Sequence, residues 1–561
     1  MADLSFLAAP AVSPAAAEVP LCAWLKVRAY GARRVRVRIA QGEAQWTLDF
    51  PASDSPLLLL GFLPDLTATI TVQILGHGGV RTWGEPLHFT PVDAPANPLE
   101  RPPIRLHHAT PERMAGRFTF LSIRRRVHGR VGDLSPAQRR FTTSWGLLIA
   151  IDHLARIRWM RRMPNRPAGL HRLASGNLFV HDTEFCSREI DLQGETVRAF
   201  YAARRPQGAM DGAIPVDVQS LHHQPHQMPN GNFLAVSGHS RLVKDWPASV
   251  HEPDTCRADR HVVGDKIVEF TPSGEIVWSW DSFDHLDTQR IGYDALDAYW
   301  HVRGFPNHGD WTHCNGVSYD AANDQVIVSL RLQDAVVGVD RASGEIRWIL
   351  GDHSNWRPDL AAKLLTPVGA NFRWPWHGHN PRVTSEGTIV MFDNGIYQAR
   401  PGQPRLPFEK SFSRGVEYRV DPAAMTVEQV WASALTDADV IERTWAMGDA
   451  HRLEASNTAL IVHSICMPHG IEGIGMDEDD RSIRFVNELA SYARILEYDR
   501  DDIHNILFDA EIRDLNELVQ WEAFSAVRVS DLYPASAGVV WTEGDALEVD
   551  SSEEVTDAHA G

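Results

Sequence analysis

Apolar and polar residues alternate at every second position along most of this chain, the period of strands that bury one face. Residues 18–92 show it in LCAWLKVRAY, RRVRVRIA and ATITVQIL, with no helical stretch between them. That pattern predicts a small β-sandwich. The Pro-rich run APANPLERPPIRLH follows and reads as a stiff linker, so residues 1–105 make up a first domain. Residues 544–561 are acidic and small, and are expected to be a disordered tail.

Between them, residues 106–543 carry a repeat. Its first element is an apolar strand, a polar turn and a second apolar strand ending in an aromatic residue. Copies end at Trp159, Phe200, Trp278, Trp348, Trp431 and, more weakly, Phe508. The second element is a strand, a turn rich in Asn and Gly, and another strand. Its copies begin at His171, His226, His313, His379, His451 and Val527. Two alternating hairpins give a four-stranded antiparallel sheet, and six such sheets can bury both their faces by packing radially. The predicted fold is therefore all-β, a six-bladed β-propeller preceded by a small N-terminal β-sandwich. The first copy is an outer hairpin and the last an inner one, so the two chain ends would share a blade and close the ring. Trp145, Trp159, Trp278, Trp348 and Trp431 fall at repeat positions and read as blade packing. The segment from Trp280 to Asn307 breaks the pattern, looks partly helical and suits a lid.

Composition narrows the function classes. Hydrophobic residues make up 43% and charged residues 23% of the 561, an ordinary globular balance. A net charge of -19 without a long basic block argues against a nucleic-acid partner. The cluster Arg124, Arg125, Arg126 reads as a solvated loop. No stretch is apolar for long enough to span a bilayer, and the N-terminus lacks the pattern of a secretory signal. The five scattered cysteines suit reduced thiols, so a cytoplasmic protein is expected. The sequence leaves the oligomeric state open, a homodimer included.

The chemistry lies in the 26 histidines. In a propeller, residues just before the innermost strand and just after its partner line one mouth. His223 and His379 each stand eight residues before a turn glycine, Gly231 and Gly387, and His313 opens its own blade. His377, two residues before His379, would face the same side in a strand. His463 ends a returning strand and should also reach the mouth. His171, His226 and His451 share a different position that reads as a structural bracket. Clustered imidazoles serve either nucleophilic and acid–base chemistry or metal ligation. No cofactor is needed for the first; the second would make the protein a metal-dependent hydrolase, lyase or oxygenase, with a divalent metal on His223, His313 and His379.

Three stretches carry a resemblance. They are DWTHCNGVSYD…DQVIVSLRLQDAVVGVDRASGEIRWILG (Asp310 to Gly351), GTIVMFDNG (Gly387 to Gly395) and SRGVEYRVDPAAMTVEQVW (Ser413 to Trp431). Here the chain resembles the bacterial arylsulfate sulfotransferase family, over about Phe141 to Trp541. The resemblance implies a six-bladed propeller that moves a sulfuryl group from a phenolic sulfate ester to another phenol, without a nucleotide sulfate donor, through a sulfohistidine. It implies a small aromatic substrate. It places an acid or sulfate-binding role on His313, and a second catalytic histidine at His379, with His377 as the competing register. By chain spacing the nucleophile falls at His463, with His451 as fallback. Arg331, Arg400 and Arg414 follow strands near the mouth and are candidates to hold sulfate oxygens. Asn315, His223 and Tyr397 complete the substrate-binding candidates. The family's arginine shortly after FDNG is displaced here, since the sequence reads FDNGIYQAR.

Overall fold

A computed structural model describes residues 4–77, 79–91, 97–127, 134–297, 299–467, 490–534, 537–543 and 555–557. Six sheets of four core strands surround an axis. Their innermost strands are β1 (Pro167–Arg172), β2 (His222–Gln227), β3 (Cys314–Asp320), β4 (His379–Val383), β5 (Asp449–Leu453) and β6 (Gln520–Val529). Each touches the next, and β6 touches β1, so the ring closes. Blades 1 to 6 are named after these strands.

Within each blade the neighbours pair antiparallel, as the repeat predicts. In blade 3, β3 pairs with Gln325–Leu330, which pairs with Ala335–Asp340 and then Ile346–Gly351. The strands nearest the axis are buried on both faces, and Gln325–Leu330 is buried at every residue. The chain comes closest to itself where inner strands meet. A Cβ on Gly316 would lie 2.6 Å from the Cα of Asn380 in the next blade, so only glycine fits there.

The tryptophans do join blades. The Trp159 indole donates to the Leu192 carbonyl at 3.0 Å, from blade 6 to blade 1, and Trp278 donates to the Arg341 carbonyl at 2.8 Å, from blade 2 to blade 3. Trp145, Trp159, Trp348 and Trp431 are buried. Each large apolar side chain so removed from water stabilises the fold by roughly 1.5–3 kcal/mol before entropy is counted.

The closing blade differs from the expectation. The last inner hairpin was expected to run from Val527 to Trp541. Instead β6 pairs with Phe118–Arg126 from the other end of the chain, followed by Gly146–Asp152 and Ile157–Met163. One C-terminal strand and three N-terminal strands make this blade. Val540–Glu543 leaves the propeller and pairs with Ala44–Pro51, where Trp541 stacks on Trp46 at 5.0 Å. The basic cluster 124–126 is therefore strand, and Arg124 and Arg125 are buried. Aromatic faces cover these cations. The Arg125 guanidinium lies 3.8 Å from the Phe141 ring, and that of Arg124 lies 4.4 Å from Phe524.

The N-terminal sandwich sets a main sheet of Ala32–Gln41, Ala44–Pro51, Ala68–Gly76 and Gly79–Trp83 beside a three-stranded sheet of Ala11–Pro14, Ala23–Lys26 and Leu57–Leu59. The run read as linker supplies Ile104–Ala109, which adds a fifth strand to blade 5. Of the acidic tail, Val555–Asp557 lies parallel to Gly79–Trp83, and its other residues fall outside the described ones. Among the described residues no helix is long and apolar enough to cross a membrane. All five cysteines are free.

Candidate active site

Three imidazoles from three blades meet at one end of the axis. The His223 ring lies 5.3 Å from His313 and 5.8 Å from His379, centroid to centroid. His223 and His313 take left-handed backbone, with φ of 63° and 45°, where their inner strands begin. This conformation is costly for a non-glycine residue and turns the side chain off the strand's alternation. His379 opens β4.

Each ring is anchored through Nδ1. His379 Nδ1 lies 2.7 Å from the Gly448 carbonyl oxygen, which can only accept, so this nitrogen carries the proton. Its Nε2 is buried with no hydrogen-bond partner among the described residues. Burial pulls the His379 pKa down to about 4, so the ring is neutral at pH 7 with a bare Nε2 lone pair. Gly448 has φ of +101°, and a Cβ there would meet the Phe392 ring at 2.3 Å. His313 bonds through Nδ1 to Asp310, whose other oxygen accepts the Trp300 indole N–H at 3.0 Å. His223 Nδ1 lies 2.7 Å from His222 Nδ1, and His222 Nε2 lies 3.1 Å from Asp265. Burial first, then His222, His313 and His379, push the His223 pKa well below its usual range.

Aromatic and cationic groups surround the trio. Tyr299, in the segment expected to form a lid, packs 4.3 Å from His313. Phe524 of β6 packs 5.3 Å from His379 and 6.1 Å from His223. Behind Phe524 sits Arg124. Arg126 and Arg166 pair with the Glu522 carboxylate, and Arg124 acts on it electrostatically. Burial alone would raise the Glu522 pKa, but Arg126, Arg166 and Arg124 outweigh it and hold it down to about 2. Arg331 also bears on the trio, since its charge opposes protonation of His379. It donates to Asp294 at 2.8 Å, and Tyr397 donates to the other Asp294 oxygen at 2.7 Å.

Other sequence candidates lie elsewhere. His377 has φ of 52° and sits in the turn before β4, so the same-side argument fails. Its Nδ1 is 2.7 Å from Asp334, a carboxylate shared with Arg400. Arg414 is tied to Asp393 at 3.1 Å and Gln429 at 2.9 Å, on the blade 4 strand Arg414–Asp421. Both arginines are thus neutralised by their own carboxylates. Asn315 donates to the Gly378 carbonyl at 2.8 Å and ties blade 3 to the turn that carries His379. His463 faces Thr444 at 2.9 Å and the Phe392 ring, and no described contact joins it to the trio. His451 follows Asp449 by two residues, about 7 Å further down the axis. There it bonds Asp449 at 2.9 Å, in a lower layer with His171 and His226, whose rings are 5.9 Å apart. Between the layers, Asn380 spans from Gln224 to Asp449 with two 2.8 Å bonds and floors the upper cluster.

Sequence reasoning missed Arg124, Asp265, His222 as a partner of His223, Tyr299 and Phe524. HHQPH did mark the imidazole-rich spot, whereas nothing local marked the others. Among the described residues, no group of three or more His, Cys, Asp or Glu side chains is arranged to hold a metal ion.

The chain is similar in sequence to known proteins. The arylsulfate sulfotransferase AssT of Escherichia coli is 30% identical over 262 residues, 39% of this chain and 41% of that protein. AssT of Lelliottia amnigena is 27% identical over 284 residues, 43% of each. The chain thus spans well under half the length of these relatives. Among solved structures, the β-propeller domain of Myceliophteria thermophila Cps50 (Swd1) covers 71% of this chain and 86% of its own at 9% identity, with a TM-score of 0.29. The profile of the family described as Arylsulfotransferase (ASST) matches residues 105–438, more than half of the chain and most of the propeller that carries the three imidazoles. The chain belongs to the arylsulfotransferase family.

Proposed function

We propose that this protein transfers a sulfuryl group from a phenolic sulfate ester to another phenol, through a covalent intermediate on His379. The observation that carries this reading is the buried, neutral His379 ring with its Nδ1 proton held by Gly448 and its Nε2 bare beside two further imidazoles. A neutral imidazole with a free, oriented lone pair is the form that attacks an electrophile. The aryl ring has Tyr299 and Phe524 to pack against. Sulfate oxygens are held by positive charge, and Arg124, stacked on Phe524 beside a Glu522 already paired with Arg166, supplies it. Burial and Arg166 both oppose the Arg124 charge, so an anionic ligand would relieve it. Arg331 is already paired with Asp294, and its part is to oppose protonation of His379.

In the forward step the His379 Nε2 forms a bond to sulfur, and the bond from sulfur to the aryl oxygen breaks. The leaving phenolate takes a proton from the His313 Nε2. Asp310 fixes the opposite edge of that ring and stabilises the imidazolium. The acceptor phenol then returns a proton to His313, its oxygen attacks sulfur, and the bond to His379 breaks. The names of the two relatives, both arylsulfate sulfotransferases, support the reaction class.

The test is incubation with p-nitrophenyl sulfate, with and without a phenol acceptor. p-Nitrophenol release should depend on acceptor, and intact-mass spectrometry without acceptor should show one added sulfuryl group. Folded protein with neither transfer nor adduct overturns the reading.

A further inference from the structure

We propose that Asp265 and His222 are positioning residues that set the tautomer of His223, so that His223 presents a bare Nε2 to the imidazole cluster. The chain of reasoning starts at groups with no choice. Asp265 lies on the third strand of blade 2, Arg257–Phe270, and is buried. Its Oδ2 accepts the Cys314 backbone N–H at 2.6 Å and the Thr312 hydroxyl at 2.6 Å. A backbone N–H can only donate, so this oxygen is committed. The other oxygen faces His222 Nε2 at 3.1 Å and, in an ionised carboxylate, can only accept. Burial would raise the Asp265 pKa, but His222 and the other donors outweigh it and keep it ionised.

His222 Nε2 therefore carries its ring's proton, and a neutral His222 has a lone pair on Nδ1. That Nδ1 lies 2.7 Å from His223 Nδ1, and one proton must lie between them. With His222 neutral, that proton belongs to His223. The proton order runs from His223 Nδ1 to His222 and from His222 Nε2 to Asp265, which leaves His223 Nε2 unprotonated. The same carboxylate also grips Thr312 and Cys314, the residues on either side of His313. One buried oxygen pair thus orders two of the three imidazoles, from blades 2 and 3. The His222 ring in turn packs 5.3 Å from Trp300, whose indole N–H holds Asp310.

The catalytic consequence rests on the sulfuryl-transfer reading, because a bare His223 Nε2 can accept a hydrogen bond from the neighbouring protonated His313 ring and hold it for its proton transfers. The tautomer itself does not rest on it. Full-length protein labelled with ¹⁵N in histidine is read at neutral pH by two-bond nitrogen–proton correlation, with His223→Gln identifying the His223 signals. The expected result is His223 protonated at Nδ1 only. In Asp265→Asn, the amide oxygen must stay on the Cys314 N–H, so the NH2 turns to His222 and reverses the order. His223 is then protonated at Nε2. His222→Gln can donate to Asp265 and accept from His223, so it keeps the wild-type tautomer, while His222→Leu leaves a mixture of the two. In turnover of p-nitrophenyl sulfate, Asp265→Asn should lower kcat by roughly a hundredfold with KM little changed, and His222→Gln by less than about threefold.

A wild-type His223 protonated at Nε2 overturns the proposal, as does a His223 tautomer unchanged in both Asp265→Asn and His222→Leu. Should the tautomers behave as expected while the wild type transfers no sulfuryl group, the positioning stands and the reaction falls.

Discussion

His379 of blade 4 donates its Nδ1 proton across the blade boundary to the carbonyl oxygen of Gly448, 2.7 Å away, at the start of blade 5. The contact fixes the proton on one nitrogen and leaves the other free. His379→Gln removes that lone pair while keeping a polar group of similar reach. It should abolish the sulfuryl adduct seen by intact-mass spectrometry and lower kcat by roughly a thousandfold or more, with an unchanged near-UV circular dichroism spectrum.

His463 is the contrasting position. Its Nδ1 is held by Thr444, its ring packs on Phe392, and burial pulls its pKa to about 3. His463→Gln should keep the adduct and at least roughly a third of kcat, while losing about 1 kcal/mol of stability in urea denaturation. An adduct lost in this variant and kept in His379→Gln would reverse the assignment of the nucleophile.

Arg124 tests substrate charge. Lysine keeps the charge but not the planar fork or the stacking on Phe524. Arg124→Lys should raise KM for an aryl sulfate about tenfold and change kcat less, as expected for loss of about 1.4 kcal/mol of ground-state binding. Steady-state kinetics at two salt concentrations checks this. The effect should persist at high salt because the site is buried.

Glu522 pairs with Arg126 and Arg166, and Arg124 acts on it electrostatically. Glu522→Gln removes this counter-charge from the buried cluster and should destabilise the protein by about 3–5 kcal/mol. The measurement is urea denaturation of the full chain. A cost below about 1 kcal/mol would mean that water or another group already neutralises the cluster.

Acid should weaken the fold through its buried neutral histidines. His379 and His463 titrate near 4 and 3 when folded, against about 6.5 in an unfolded chain. Below pH 6.5 the unfolded state binds protons that the folded state refuses. The stability from each group is thus fully present above 6.5 and is lost as pH falls towards the folded value. Each contributes a slope of about 1.4 kcal/mol per pH unit. Urea midpoints at pH 7.5 and 5.5 measure the sum, and His463→Gln should flatten the slope by about one group.

Much of the fold was legible in the chain because it is written in local terms. Alternation with a period of two, turn glycines such as Gly231 and Gly387, and aromatic strand ends predict twelve hairpins and hence six blades. His223, His313 and His379 were legible for the same reason, since each stands where an inner strand begins. The closing blade was not. Phe118–Arg126 ends in three arginines, which read as solvent-facing until Phe524, Phe141 and Trp145 are seen to cover the first two. His377 misled because alternation holds only inside a strand, and its backbone is left-handed.

Sequence by itself thus determined the repeat, the all-β class and the positions at which imidazoles approach the axis. Backbone periodicity is a property of neighbours in the chain. Tertiary structure alone decided which imidazoles meet, which nitrogen of His379 is bare, and which arginines already have a carboxylate. Those depend on hydrogen bonds and charges between residues far apart in sequence, such as Arg166 with Glu522 or His379 with Gly448, and no local pattern encodes them.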